Sequence, residues 1–373
     1  MKNTIVTLIS FVLCSSLSAQ SFKTKNVVIV TLDGLRWQEL YRGADSALIN
    51  SKYTEDKPNV QKDYWSESLT DRRKMLFPFI WSAIAEKGQL YGNRDLGNKS
   101  EVANTYKLSY PGYNELFTGA TDAHINSNAP RFNPNVNLLE YINKQPGFEN
   151  KVAVFASWER FPQIFNVKRS GLMVNAGYMD VNIPGMNNHL KYLNDLQQKS
   201  PHYMGDSTRL DFLTYEFAKQ YLLQYQPRVL YLAFDETDEM AHSGYYKFYL
   251  DRAHQEDTFI KELWEYLQNN PAYKDNTTLI ITCDHGRGDV NLASWRDHGI
   301  FIAPHSEQTW FAVIGPDTQP MGEMKSGGII YQKQIAQTIA NLLGLDFKAA
   351  AGHEIGEAIN SVTTKTLINA STK

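Results

Sequence analysis

Five near-continuous apolar runs constrain this chain more than anything else in it. They are Asn26–Leu32 (NVVIVTL), 151–155 (KVAVF), 228–234 (RVLYLAF), 278–283 (TLIITC) and 310–314 (WFAVI). A strand with one wet face alternates polar and apolar residues. These runs do not alternate, so they fit strands buried on both faces of a mostly parallel sheet. Between them lie stretches of helical period. Residues 209–225 space Leu210, Leu213, Phe217 and Tyr221 by three or four, 254–267 do so with Phe259, Leu263 and Leu267, and 335–343 form a third. Strands alternating with such helices predict an α/β sandwich, a central mostly parallel sheet flanked by helices. In open sheets of this kind ligands gather at the carboxyl ends of the strands. Three of the runs end there in a carboxylate: Asp33, Asp235 and Asp284.

The chain has 373 residues, 42% hydrophobic and 21% charged, which is ordinary globular composition with enough apolar material for a large core. Its formal charge of −3 lacks the basic excess of a nucleic-acid binder, so no nucleic-acid polymer is expected as a partner. Residues 1–19 carry one Lys, an apolar stretch from Ile5 to Leu13 and small residues ending at Ala19. This pattern predicts a secretory signal peptide, and hence a secreted, periplasmic protein without a transmembrane segment once it is cut. Cys14 leaves with it, so Cys283 remains alone in an apolar run and is expected to be a buried small hydrophobe. Residues 20–373 are expected to form a single catalytic domain. The polar segment 169–206 is expected to be an insertion or lid over the active edge.

The residues suited to chemistry cluster at the strand ends. Asp238 and His242 are four apart, so on a helical turn they share a face and can grip one cation. Asp284-His285-Gly286 closes a strand where both side chains can turn to one ion, and His305 precedes the last strand. Among the other histidines, His298 is expected to stand behind the ligands or to be purely structural rather than to ligate directly. His124, His189, His202, His254 and His353 lie in polar or helical surroundings and are expected to be surface or structural. Asp33, Asp238, Asp284, His242, His285 and His305 make a mixed N/O donor set that suits Zn²⁺, with Mn²⁺ or another divalent metal as a poorer fit. Six donors exceed one tetrahedral site, so two ions about 4 Å apart are expected, an arrangement suited to in-line displacement at phosphorus.

With these motifs stands Ser109-Tyr110-Pro111, followed by Thr118-Gly119. The ordered set resembles the alkaline phosphatase superfamily, and in particular its branch of type I phosphodiesterases and nucleotide pyrophosphatases. The matching elements are a strand ending in Asp33-Gly34, a hydroxyl residue before an aromatic-Pro pair, Asp-x-x-x-His (Asp238, His242), Asp-His-Gly (284–286), and a His ahead of Gly315-Pro316. The resemblance spans roughly residues 26 to 345.

It implies an alkaline-phosphatase-like fold and a zinc-dependent hydrolase of phosphoric esters acting on a small-molecule phosphate ester. It further implies that Asp238, His242 and His305 hold one zinc, and Asp33, Ser109, Asp284 and His285 the other. Ser109 would be the nucleophile, passing through a phosphoseryl intermediate, with Asn128 contacting a non-bridging oxygen. Elementary chemistry agrees, since a serine hydroxyl is a weak nucleophile that metal coordination activates. Arg36, Arg160 and Lys107 stand as candidate substrate contacts. The chain departs from the branch in having Ser rather than Thr as nucleophile, and Gly112-Tyr113 where Asn-His usually follows the Pro. Related outcomes are a sulfatase, a phosphotransferase, or an inactive metal-stabilised binding protein. The sulfatase motif C/S-x-P-x-R lacks its Arg here, and the presence of the nucleophile with all six donors argues against decay.

Overall fold

A computed structural model describes residues 22–300 and 302–363, so the expected signal peptide, 1–19, lies outside the described residues. Eleven strands are described: β1 (Asn26–Leu32), β2 (Gln89–Tyr91), β3 (Lys99–Glu101), β4 (Val152–Ala156), β5 (Met173–Ala176), β6 (Val229–Phe234), β7 (Thr277–Thr282), β8 (Gln308–Thr309), β9 (Phe311–Ile314), β10 (Gly322–Glu323) and β11 (Ile329–Tyr331). Eight of them form one sheet in the order β10-β2-β9-β7-β1-β6-β4-β5, and β11-β3-β8 form a small second sheet. The stretch from β7 to β5 is parallel throughout, and β9 joins antiparallel to β7. Each of the five apolar runs is a strand of this sheet, and every residue of β1, β4, β6, β7 and β9 is buried.

The helices that matter for the site are α1 (Ser109–Thr118), α2 (Asn188–Lys199), α3 (Asp211–Tyr225), α4 (Glu236–Ser243), α5 (Tyr246–Asn269) and α6 (Gln334–Leu342). They cover both faces of the sheet. Along β1, Val28, Val30 and Leu32 face a core built with Phe217 and Leu222 of α3 and Leu250 and Leu263 of α5. Val27 and Ile29 face the opposite core, built with Leu116 and Phe117 of α1 and Ile335 and Ile339 of α6. This alternation is why the runs are apolar at every position: both sides of the pleat are roofed.

Within 169–206, β5 extends the sheet at its edge beside β4, and α2 buries Leu190 and Leu193 in the first core. That segment therefore carries framework as well as surface. Cys283 is buried and free. Among the described residues no helix is long and apolar enough to cross a membrane.

Candidate active site

The sheet places three carboxylates side by side because its central strands are adjacent and in register. β1 lies between β6 and β7, with Leu32 opposite Phe234 and Thr31 opposite Thr282. Asp33, Asp235 and Asp284 therefore leave the sheet at one edge. Asp33 donates its N–H to the Phe234 carbonyl (3.0 Å), and Gly34 donates its N–H to Asp284 Oδ1 (3.1 Å). Gly34 has φ +58°, and a Cβ there would run into Arg287 and Asp238, so the turn needs both glycine's freedom and its bareness. α4 starts directly after β6 and turns Asp238 and His242 back toward this edge, with His242 Nε2 3.2 Å from Asp238 Oδ2.

Ser109 is the first residue of α1. Pro111 fits the first helical turn, where a backbone N–H would have no partner in any case. Tyr110 N–H is capped by Asn128 Oδ1 (3.0 Å), and Gly112 N–H bonds Leu108 O (2.9 Å). Gly112 lets the helix rest on the end of β7, since a Cβ would overlap the Asp284 carbonyl. Gln332 ties the two together, donating to Gly112 O (2.8 Å) and Asp284 O (3.4 Å).

The result is a hydroxyl set among donors. Around His285 Nε2 stand Ser109 Oγ at 3.2 Å, Asp33 Oδ1 at 3.4 Å and Asp284 Oδ2 at 3.4 Å. Nitrogen and oxygen ligands about 2.0–2.1 Å from a tetrahedral ion are about 3.3–3.4 Å from one another, so these spacings fit a shared cation. Asp33 Oδ1 and Asp284 Oδ2 are buried with no hydrogen-bond partner among the described residues, which a bound cation would remedy. His285 Nδ1 faces the Gly286 carbonyl at 2.9 Å; a carbonyl only accepts, so Nδ1 carries the proton and Nε2 is left as a donor for metal.

A second set adjoins the first. His242 Nε2 lies 3.1 Å from His298 Nε2 and 3.2 Å from Asp238 Oδ2, again the spacing of ligands on one ion. His298 Nδ1 faces the Lys107 carbonyl at 2.9 Å, which frees its Nε2 as well. The rings of His285 and His298 stack at 3.7 Å, so the two sets share a wall, and Asp238, His285 and His298 offer ligand atoms all within 4.8 Å of one another.

Here the structure departs from expectation at two histidines. His305 stands outside both sets. Its backbone is left-handed (φ +76°), and its half-exposed ring turns to Asp289, with Nδ1 2.5 Å from Asp289 Oδ1. His298, expected to be structural, occupies the place foreseen for His305. The letters held a signal for this: Asp-His-Gly occurs twice, at 284–286 and at 297–299. Two further residues escaped the sequence reading. Tyr113, one turn after Ser109, donates its hydroxyl to Asp33 Oδ2 (2.7 Å), and buried Arg287 pairs with Asp238 Oδ1.

A model of the family described as type I phosphodiesterase / nucleotide pyrophosphatase matches residues 50–342. The chain belongs to that family. No curated protein matches it in sequence. Similar solved structures support this family's fold. An alkaline phosphatase superfamily protein from Vibrio parahaemolyticus has a TM-score of 0.56 at 14% identity, covering 93% of this chain and 72% of that one. A phosphonate monoester hydrolase from Silicibacter pomeroyi gives 0.57 at 12%, covering 93% and 78%. The lipoteichoic acid synthase from Listeria monocytogenes gives 0.56 at 12%, covering 91% and 76%. At these identities the likeness shows an alkaline-phosphatase-like architecture.

Electrostatics in this phosphodiesterase-family site separate the two donor sets. Burial, reinforced by Asp284 and Asp238, raises the Asp33 carboxyl well above its ordinary value, and burial with Asp238 raises Asp284. Asp238 goes the other way: burial pushes it up, but Arg287, His242 and His298 together hold it well below the carboxylate range. Burial lowers His285, and takes His298 down to about 4, so both rings are neutral and able to ligate at neutral pH.

Proposed function

We propose that this protein is an exported di-metal hydrolase of phosphodiesters that uses Ser109 as its nucleophile. The observation that carries the reading is the Ser109 hydroxyl 3.2 Å from His285 Nε2, beside two buried carboxylate oxygens with no other partner. Asp33, Asp284, His285 and Ser109 would hold one divalent cation, and Asp238, His242 and His298 the other, with Zn²⁺ favoured by the mixed N/O donors. When bound, such a pair lowers the pKa of the serine hydroxyl and offsets charge on the phosphoryl oxygens.

The rest falls to the chain. α1 fixes Ser109 at its positive N-terminal end, which favours the ionised hydroxyl. Ser109 Oγ gives up its proton and bonds to phosphorus as one ester oxygen departs as the alcohol, leaving a seryl phosphodiester that keeps the second ester group. Water then cleaves the bond between Ser109 Oγ and phosphorus, restoring the hydroxyl and releasing a phosphomonoester. Asn128, held beside the nucleophile through its Oδ1, presents its amide N–H₂ to a non-bridging oxygen.

A diester is favoured over a monoester because the nearby side-chain cations are already committed. Lys107 pairs with Glu307, Arg160 with Glu159, and Arg287 with Asp238. A diester carries one negative charge on its phosphoryl group where a monoester carries nearly two, so it needs no extra clamp.

Ser109→Ala should abolish turnover with two metals per chain retained. The wild type should hydrolyse bis-aryl phosphate faster than aryl phosphate, and aryl sulfate least. Wild-type activity in Ser109→Ala, or sulfate as the best substrate, would overturn the reading. The mature amino terminus, read by mass spectrometry of the periplasmic fraction, tests export.

A further inference from the structure

The two donor sets differ in how much of their charge the protein has already cancelled. We propose that they load unequally: the Asp33–Asp284–His285 set takes its cation first and tightly, and the Asp238–His242–His298 set takes the second more weakly, with Arg287 setting the gap. This rests on the reading of both sets as metal sites.

In the tight set, Asp33 and Asp284 are fully buried and each presents one oxygen with no hydrogen bond. Among the described residues, no Arg or Lys pairs with either; His285 is their imidazole neighbour, and the Tyr113 hydroxyl, which brings no charge, bonds the other oxygen of Asp33. Two carboxylates side by side away from water are costly until a cation joins them, so this set gains most from its first ion.

The other set holds one carboxylate, and that carboxylate already has a cation. Arg287 pairs with Asp238 Oδ1. The guanidinium is buried and cannot swing aside, because Nε donates to Trp295 O (2.8 Å) and Nη2 to Arg296 O (2.5 Å). A divalent ion arriving at Asp238 Oδ2 must share the carboxylate with a fixed positive charge, in surroundings that screen repulsion less than water does. His242 on the rim of this set is 40% exposed, which leaves its ion in closer touch with solvent.

The test is a zinc titration of the metal-stripped full chain against a competing chromophoric chelator, at fixed pH and without substrate. The expected result is two ions bound in two steps at least about tenfold apart, the lower end of what groups behind metal ligands usually command. Asp33→Asn should remove the tighter step and Asp238→Asn the weaker. Arg287→Gln keeps an N–H donor but drops the charge, and should tighten the weaker step by about tenfold or more. Arg287→Lys keeps the charge and should leave it weak. Two ions of equal affinity, or a tighter step lost in Asp238→Asn, overturns the order of loading while the two-metal reading stands. Equal shifts in Arg287→Gln and Arg287→Lys overturn the part assigned to charge. Fewer than two ions in the wild type removes the two-metal reading, and the order with it.

Discussion

Single hydrogen bonds decide how the donors point. Tyr113 is buried, and its hydroxyl engages Asp33 Oδ2, leaving Oδ1 to face His285. Tyr113→Phe keeps the ring's packing against Phe161 and removes only this bond. Zinc affinity of the Asp33 set should fall by about 10- to 100-fold, measured by chelator competition; unchanged affinity would mean that Asp33 is aimed by something else. The residue scale is also where the sequence was hardest to read. Asp238 and His242 were legible because helical spacing puts them on one face, and Asp284-His285 because they end an apolar strand. His298 was hidden because no strand or helix carries it, and its ring is positioned by a carbonyl, that of Lys107, far away in the chain. Tyr113 stands in the sequence only as a departure from the family pattern, since nothing in its neighbours reveals that its hydroxyl meets Asp33. Arg287 follows Gly286 of the Asp-His-Gly motif, and no local pattern shows that it reaches Asp238.

At the scale of elements, two contacts set the arrangement. The first is α1 against the end of β7 at Gly112. Replacing a helical glycine by alanine normally stabilises by about 1 kcal/mol. Here the added Cβ would overlap the Asp284 carbonyl, and such overpacking costs about 1–3 kcal/mol. The clash should win: Gly112→Ala should lower both the unfolding midpoint and kcat by moving Ser109 away from His285, Asp33 and Asp284. A more stable, fully active variant would refute the close approach. The second contact is α5 against the segment at Phe79. Asp257 accepts the N–H groups of Phe79 (2.7 Å) and Ile80 (3.0 Å), yet burial raises its carboxyl to about 7. The folded form then holds a proton that the unfolded form releases above about pH 4. This carboxyl's contribution to stability should therefore fall as pH rises from about 4 to 7. Asp257→Asn sets an amide N–H₂ against one of the two donors, a roughly constant penalty. The variant should gain on the wild type across that window by up to a few kcal/mol in urea unfolding; parallel curves would show that Asp257 ionises normally. The long strands and helices were legible from period and length alone. Six short strands were not: β2, β3, β5, β8, β10 and β11 are too short to show a period and are fixed by their partners.

Across the whole molecule, the site joins residues from β1, α1, α4, the end of β7 and the loop bearing His298. A cation bound there links parts of the chain that local structure alone does not connect, and among the described residues Cys283, free and buried, offers no covalent substitute. On the proposed reading, zinc added to metal-stripped protein should raise the unfolding midpoint progressively, the stability gain reaching about 2.7 kcal/mol per site at a hundredfold excess over Kd. A midpoint indifferent to zinc would count against a structural contribution from the metals. The layered architecture was readable because both faces of the sheet are roofed and every central strand is apolar throughout. The route of 169–206 was not, because that segment mixes an edge strand, a half-buried helix and exposed turns.

Asp33 enters the chain early and His298 late, with Ser109 and the other candidate donors between them. On the proposed reading, a ribosome must therefore elongate the chain past His298 before both donor sets can be assembled. A nascent chain stopped short of that histidine would carry Ser109 and the first set of donors but lack one member of the second.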